Sequence, residues 1–171
     1  VVVHAVSLGV GAFFAGLAAG GWLCGRWADR SVQPWRLYAA LELAAGLLGL
    51  AVTLALGAIA FPFVWLEARV GALAWALPLL LVALPATLLG GTLPVLMRAL
   101  RPVIEQRAWA GGRLYAANTL GAIAGTLLAA FCLIPWFGLR GSALVAALLN
   151  ILVAVAGWVL GRRSTSRAEA G

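Results

Sequence analysis

The sequence predicts an all-α bundle of about five membrane-spanning helices. Three observations support this: a very apolar composition, five long apolar segments, and a regular alternation of arginines between those segments. Hydrophobic residues make up 64% of the 171 residues and charged residues 10%, and the mean hydropathy is +1.06. A water-soluble chain of this length needs a charged surface, which 12 basic and 5 acidic side chains cannot supply.

The apolar segments are each long enough, at about 20 residues, to cross the hydrocarbon core of a bilayer. Backbone polar groups in lipid must be satisfied internally, and the period-two alternation of a membrane barrel is absent, so the segments are predicted to be helices. We expect a transmembrane domain over 1–161 and a cytoplasmic polar tail over 162–171. The predicted spans are 5–24, 37–60, 72–97, 114–137 and 142–161.

All twelve basic residues are arginines, and arginine-rich connections alternate with connections that hold one arginine each. The net charge of +7 therefore indicates membrane topology rather than a nucleic-acid partner. The positive-inside rule places the first and third connections and the C-terminus in the cytoplasm, and the N-terminus of this chain outside. Because the chain starts without Met or a signal-peptide pattern, we expect an earlier helix upstream of it.

The first span carries small residues at every fourth position, at Ala12, Gly16 and Gly20, and again at Gly21 and Gly25. Small residues let two helix backbones approach closely in lipid, so we expect this face to contact another helix. After it comes "GRWADR" at 25–30, in which Asp29 is expected to cap the next helix or to pair with an arginine of the third connection.

The second span carries Glu42, six residues after Arg36 and so about 9 Å along the helix. A carboxylate at this depth is costly unless it is paired or hydrated. Two interpretations stay open. Glu42 is a site for a cation or amine inside the bundle, or it is clamped to Arg26, Arg30 or Arg113.

The third span carries Pro78, Pro85 and Pro94, with Gly90 and Gly91 between the last two. A kink near 85–94 is expected. It is either a simple bend that fits the bundle or a broken helix that exposes carbonyls to a cavity.

The fourth span repeats the second, because "RLYAALELAAGLLGL" (36–50) aligns with "RLYAANTLGAIAGTL" (113–127). The preceding helices align through "GGWL" (20–23) and "GGTL" (90–93), which indicates a parallel repeat of a helical hairpin. Small residues recur at Ala117, Gly121 and Gly125, and we expect them to form a helix contact as well. Asn118 and Thr119 replace Leu41 and Glu42, and they either bond to another helix or bind a ligand.

Polar residues elsewhere are few. Asn150 lies mid-way along the fifth span and should face protein rather than lipid. We expect Glu42 and Asn118 both to face the bundle interior near the cytoplasmic side. His4 has no second ligand at metal-binding spacing, and Cys24 and Cys132 are expected to be buried packing residues, so neither a metal site nor a cofactor is predicted in this chain.

The stretches "LPATLLGGTLPVLMRAL" and "GGRLYAANTLGAIAGTLLAAF" resemble the N-terminal membrane region of bacterial spermidine synthase-like proteins, in which a multi-spanning domain is fused to an aminopropyltransferase domain. The resemblance implies a truncated half of a major facilitator fold in the bacterial inner membrane, with Gly25, Arg26, Asp29 and Arg30 forming its loop motif. It also implies a soluble C-terminal partner domain that transfers an aminopropyl group from decarboxylated S-adenosylmethionine to putrescine.

This chain carries none of the catalytic residues of that reaction, so the resemblance implies a membrane domain that anchors and serves the enzyme. Two alternatives stay open: half of a transporter for a small cationic or other solute, and a purely structural anchor. The candidate substrate-binding residues are Glu42, Asn118, Thr119 and Asn150.

Overall fold

Five α-helices account for nearly all of residues 2–100 and 107–169, which the computed structural model describes. A 3-10 turn, Gly71–Trp75, joins the second helix to the third, and a π-helical turn, Ala129–Leu133, joins the fourth to the fifth. Part of the predicted third connection, including Arg101, lies outside the described residues. The helices are α1 (Val2–Arg30), α2 (Pro34–Val70), α3 (Ala76–Leu100), α4 (Arg107–Leu128) and α5 (Ile134–Glu169).

Over the described residues, three helical stretches are long and apolar enough to cross a membrane. The sequence predicted five separate spans, whereas in the structure a 3-10 turn directly joins α2 to α3 and a π-helical turn directly joins α4 to α5. The described chain is therefore all-α and of membrane type, with apolar stretches at Val3–Arg30, Pro34–Leu100 and Gly111–Arg163.

The longest stretch reverses direction at Gly71. Its 67 residues would extend about 100 Å as one straight helix. Gly71 instead has φ 58° and ψ −132°. This conformation is not helical and so ends α2, and glycine adopts a positive φ at little cost because it has no side chain. The rings of Phe63 and Trp75 then meet edge to face, with centroids 5.5 Å apart. Since Leu41 packs against Gly91 further along, α2 and α3 run antiparallel. Gly138, with φ 67°, interrupts α5 in the same way.

Helices α1 and α3 pack side by side in parallel through their glycines. A Cβ built on Gly16 would lie 2.6 Å from the Ala83 carbonyl oxygen, and one on Gly20 would collide with the Thr87 carbonyl. In the other direction, Gly90 lies against the backbone of Leu17. The predicted contact face of the first span is therefore confirmed.

Helices α2 and α5 pack antiparallel, also through small residues. Gly46 lies under Asn150, Gly157 under Tyr38, and Gly161 under Trp35. The row of helices is thus α1, α3, α2, α5, and α1, α3 and α5 all run opposite to α2. These relative directions match the predicted alternation.

Over the residues that the structure describes, the contact face predicted for the fourth span is not formed. A methyl group added at Gly121 or Gly125 would have no atom within 4 Å, and Ala117 is exposed. Within the described residues, α4 meets α3 near its start, where Gly111 lies by Met97. Arg36 and Arg113 lie near the starts of α2 and α4 as the repeat requires. Of these two helices, α2 is covered by neighbouring helices, whereas α4 is largely exposed over the described residues.

Helix α3 is continuous through Pro85 and Pro94. The broken-helix interpretation is therefore wrong for this helix. The Thr87 hydroxyl donates a hydrogen bond to the Ala83 carbonyl at 2.7 Å, and that of Thr92 to the Leu89 carbonyl at 2.8 Å.

Four tryptophans carry an arginine guanidinium on their ring. In three of the pairs, the tryptophan and the arginine lie four residues apart on the same helix. The fourth pair joins α2 to α5. Each contact of this kind contributes about 0.5–1 kcal/mol at an exposed site. The pairs are Trp22 with Arg26, Trp65 with Arg69, Trp109 with Arg113, and Trp158 with Arg36, at 4.2–5.1 Å from guanidinium carbon to ring centroid.

We expect Gly20→Ala to destabilise the protein, because its new methyl group meets the Thr87 backbone, which cannot move aside as a side chain can. The cost should be about 1–3 kcal/mol, as for overpacking in general. It is measured as a fall in the melting temperature of the detergent-solubilised protein. Gly57→Ala is the matched control, since Gly57 is exposed and has nothing within 4 Å. Equal melting temperatures for Gly20→Ala and the wild type would contradict the close α1–α3 contact.

Candidate functional site

Glu42 is a buried acidic side chain in the middle of the helix row. It lies on α2 and is 8% exposed. The face of α2 that carries it also carries Ala39, Ala45 and Gly46, all buried. Those small neighbours bring the adjacent helices close, so the carboxylate is held inside the bundle and away from lipid. The expectation that Glu42 faces the interior is therefore confirmed.

Tyr38 is a polar neighbour of Glu42 on α2. It lies one helical turn earlier, and its hydroxyl is within hydrogen-bonding reach of Glu42. The Tyr38 ring packs over Gly157 of α5, where a Cβ would lie 3.1 Å from the ring, and meets the Trp35 ring edge to face at 6.4 Å. Sequence reasoning did not single out Tyr38 as a partner of Glu42, although its spacing of four residues is the signal for such a pair.

The clamp interpretation of Glu42 finds no support in the described part of the chain. There, no ion pair joins Glu42 to Arg26, Arg30 or Arg113. Arg26 and Arg113 lie on the rings of Trp22 and Trp109 instead, and Arg30 is exposed at the end of α1.

Asn150 faces α2, as predicted. A Cβ built on Gly46 would lie 2.8 Å from the Cβ of Asn150 and 3.3 Å from its amide nitrogen. Gly46 follows Glu42 by one turn on the same face of α2, which separates the two levels by about 6 Å. Tyr38, Glu42 and Asn150 therefore share the α2–α5 side of the bundle, and we call them the Glu42 cluster.

Asn118 and Thr119 do not join this cluster. Both are exposed on α4, so the expectation that Asn118 faces the bundle interior is wrong. The Thr119 hydroxyl donates to the Tyr115 carbonyl of its own helix at 2.9 Å. The reason is the position of α4, which lies apart from α1, α2 and α5 over the described residues and so offers its polar residues no facing helix.

Helix α1 ends with the loop motif, which consists of Gly25, Arg26, Asp29 and Arg30. Gly25 lies against Pro94 of α3, at 3.8 Å from a Cβ position. Asp29 is exposed, and α2 begins at Pro34 without a side-chain cap, so Asp29 does not cap α2. The turn is held by Ser31 instead: its N–H donates to the Ala28 carbonyl at 3.1 Å, and its hydroxyl accepts from the Gln33 N–H at 3.3 Å.

The sequence also singled out the two cysteines and His4. Cys24 is buried against Gly91, as predicted for a packing residue, and Cys132 is half-buried. His4 is exposed. Over the described residues, no three His, Cys, Asp or Glu side chains converge as metal ligands would.

Chemically, the Glu42 cluster offers a carboxylate, a phenol and an amide in a largely apolar setting. Acceptors of this kind can hold a cation or an ammonium group, because electrostatic attraction is stronger away from water. The same groups can equally hold helices together by hydrogen bonds, which contribute about 0.6 kcal/mol each in typical membrane proteins.

Comparison with known proteins finds a distant relative. The chain is 34% identical over 141 residues to a protein named "Polyamine aminopropyltransferase" from Corynebacterium efficiens, a match that covers 80% of this chain and 26% of the relative. The chain thus spans about a quarter of the length of that curated protein. No family model matches the chain, and no solved structure matches it.

We expect Tyr38→Phe to lower the melting temperature, because it removes the phenol from reach of a buried carboxylate. The loss should be about 1 kcal/mol, the usual net worth of one hydrogen bond. Tyr115→Phe is the control: Tyr115 holds the equivalent repeat position on α4 but is 64% exposed. Equal loss in the two variants, or no loss in Tyr38→Phe, would contradict the pairing of Tyr38 with Glu42.

Proposed function

We propose that this chain is the membrane domain of a longer aminopropyltransferase-like protein, which it anchors in the bacterial inner membrane. The similarity to about a quarter of a polyamine aminopropyltransferase carries the proposal. The three apolar helical stretches support it, because a soluble enzyme has no use for so much lipid-compatible surface. In this proposal the five helices cross the bilayer separately, with the 162–171 tail leading into the cytoplasm.

The chain would serve the enzyme by position rather than by chemistry. The reaction implied by the relationship is aminopropyl transfer from decarboxylated S-adenosylmethionine to putrescine, and its catalytic groups would lie in a soluble domain outside this chain. Anchoring would hold that domain at the membrane surface.

We expect the longer protein to sediment with membranes, and a version lacking residues 1–161 to appear in the soluble fraction with its aminopropyltransferase activity retained. Cell fractionation followed by an assay with putrescine measures both. Activity that stays with the membrane after deletion, or a longer protein whose remaining part is a second membrane half without transferase activity, would overturn the anchoring proposal.

A second candidate function is binding of a polyamine or similar cation at the Glu42 cluster. The observation that favours it is a buried carboxylate which, over the described residues, has a tyrosine rather than an arginine within reach. The candidate binding residues are then Glu42 and Asn150, because Asn118 and Thr119 lie on α4, apart from the cluster.

Glu42→Gln separates this candidate from a structural role. It removes the charge while keeping the size, so a cation site should lose its ligand: spermidine should raise the melting temperature of the wild type and leave that of Glu42→Gln unchanged. A structural carboxylate gives a different result, namely a lower melting temperature for the variant and no spermidine effect on either protein. Glu67→Gln is the control, since Glu67 is exposed near the end of α2.

A further inference from the structure

A groove with an arginine at one end lies between α2 and α5 on the outer surface of the helix row. It has a volume of about 290 Å³. Its floor is made by Ala39 and Ala154, both buried, and its walls include Leu43 and Val155, which are exposed. Small residues in the floor create the depth, because larger side chains at those two positions would fill the space between the helices.

The end of the groove near the start of α2 is basic and aromatic. Arg36 lies with its guanidinium carbon 5.1 Å from the ring centroid of Trp158. This contact joins α2 to α5 and holds the guanidinium at the groove. Arg162 and Arg163 follow Gly161, which packs on Trp35, so three arginines lie at this end of the bundle.

We propose that this groove binds one anionic phospholipid, with the phosphate at Arg36 and one acyl chain over Ala39 and Ala154. The site goes beyond the proposed anchoring and does not depend on it. Charge complementarity identifies the ligand: an arginine donates two hydrogen bonds to a phosphate in a fixed geometry, and basic grooves between helices at a membrane surface favour anionic head groups.

The apolar walls identify the rest of the ligand as an acyl chain rather than a soluble anion. The groove lies along helices that are apolar enough to be in lipid. Lipid acyl chains therefore already surround the groove. Tryptophan side chains usually lie at the level of the lipid head groups, as Trp158 would here. The positive-inside rule puts this end in the cytoplasmic leaflet, where anionic lipids concentrate.

The test uses the full-length protein purified in neutral detergent, with phosphatidylglycerol, phosphatidylcholine or inorganic phosphate added. Phosphatidylglycerol should stay bound through delipidation, as counted by native mass spectrometry, and should raise the melting temperature. Phosphatidylcholine should be lost, and inorganic phosphate should have no effect. An equal rise with inorganic phosphate, or equal retention of the two lipids, would overturn the proposal.

Two variants locate the site. Arg36→Gln should reduce phosphatidylglycerol retention about tenfold, the effect of losing one charge-assisted contact. Arg69→Gln is the matched control, because Arg69 also lies on a tryptophan, Trp65, but at the opposite end of α2. Equal loss in both variants would show a general charge effect and no site.

Ala40→Phe tests the acyl-chain part separately. Ala40 lines the groove and is exposed, so the larger side chain fills the groove without entering a helix contact. Retention of phosphatidylglycerol should fall while the melting temperature without lipid stays unchanged. Unchanged retention would show that no acyl chain lies there.

Discussion

The close approach of the α1 and α3 backbones is the contact on which the rest of the arrangement depends. Lipid tails give apolar helices no drive to associate, so the attraction must come from van der Waals contact between backbones. Gly16, Gly20 and Gly90 permit that contact, with carbonyl oxygens of one helix against glycine Cα groups of the other. Cys24 then meets Gly91, and Leu41 of α2 packs into the same buried cluster.

The same physical device, used again between α2 and α5, produces the candidate site. Gly46, Gly157 and Gly161 let these helices approach, and Glu42 is carried on the face they share. Burial by neighbouring helices removes the carboxylate from lipid, where it would be most costly, and Tyr38 supplies a donor within one turn. The groove at Arg36 arises because the α2–α5 contact is made by small residues such as Ala39 and Ala154, which leave space above them.

The sequence was sufficient to predict the helical membrane class, the relative directions of α1, α2, α3 and α5, and the contact face at Gly16 and Gly20. These depend on local patterns: apolar length, arginine alternation and four-residue spacing. It was also sufficient to predict that Glu42 and Asn150 face protein, because neither can face lipid cheaply. It did not predict that a 3-10 turn alone joins α2 to α3, or that a π-helical turn alone joins α4 to α5. The breaks at Gly71 and Gly138 were not predicted either, because each is set by the backbone conformation of a single glycine.

The error at α4 shows where such patterns stop being informative. Ala117, Gly121 and Gly125 have the same spacing as the stripe on α1, but spacing indicates only that a face can pack closely, not that another helix lies opposite. The polar residues of the two repeat copies differ in accordance with their surroundings. The covered helix α2 carries a carboxylate, which needs protein around it, whereas the uncovered α4 carries an amide and a hydroxyl, which are less costly to expose. Thr119 reduces its cost further by bonding to the Tyr115 carbonyl of its own helix, an option that a carboxylate does not have because it carries no proton to donate.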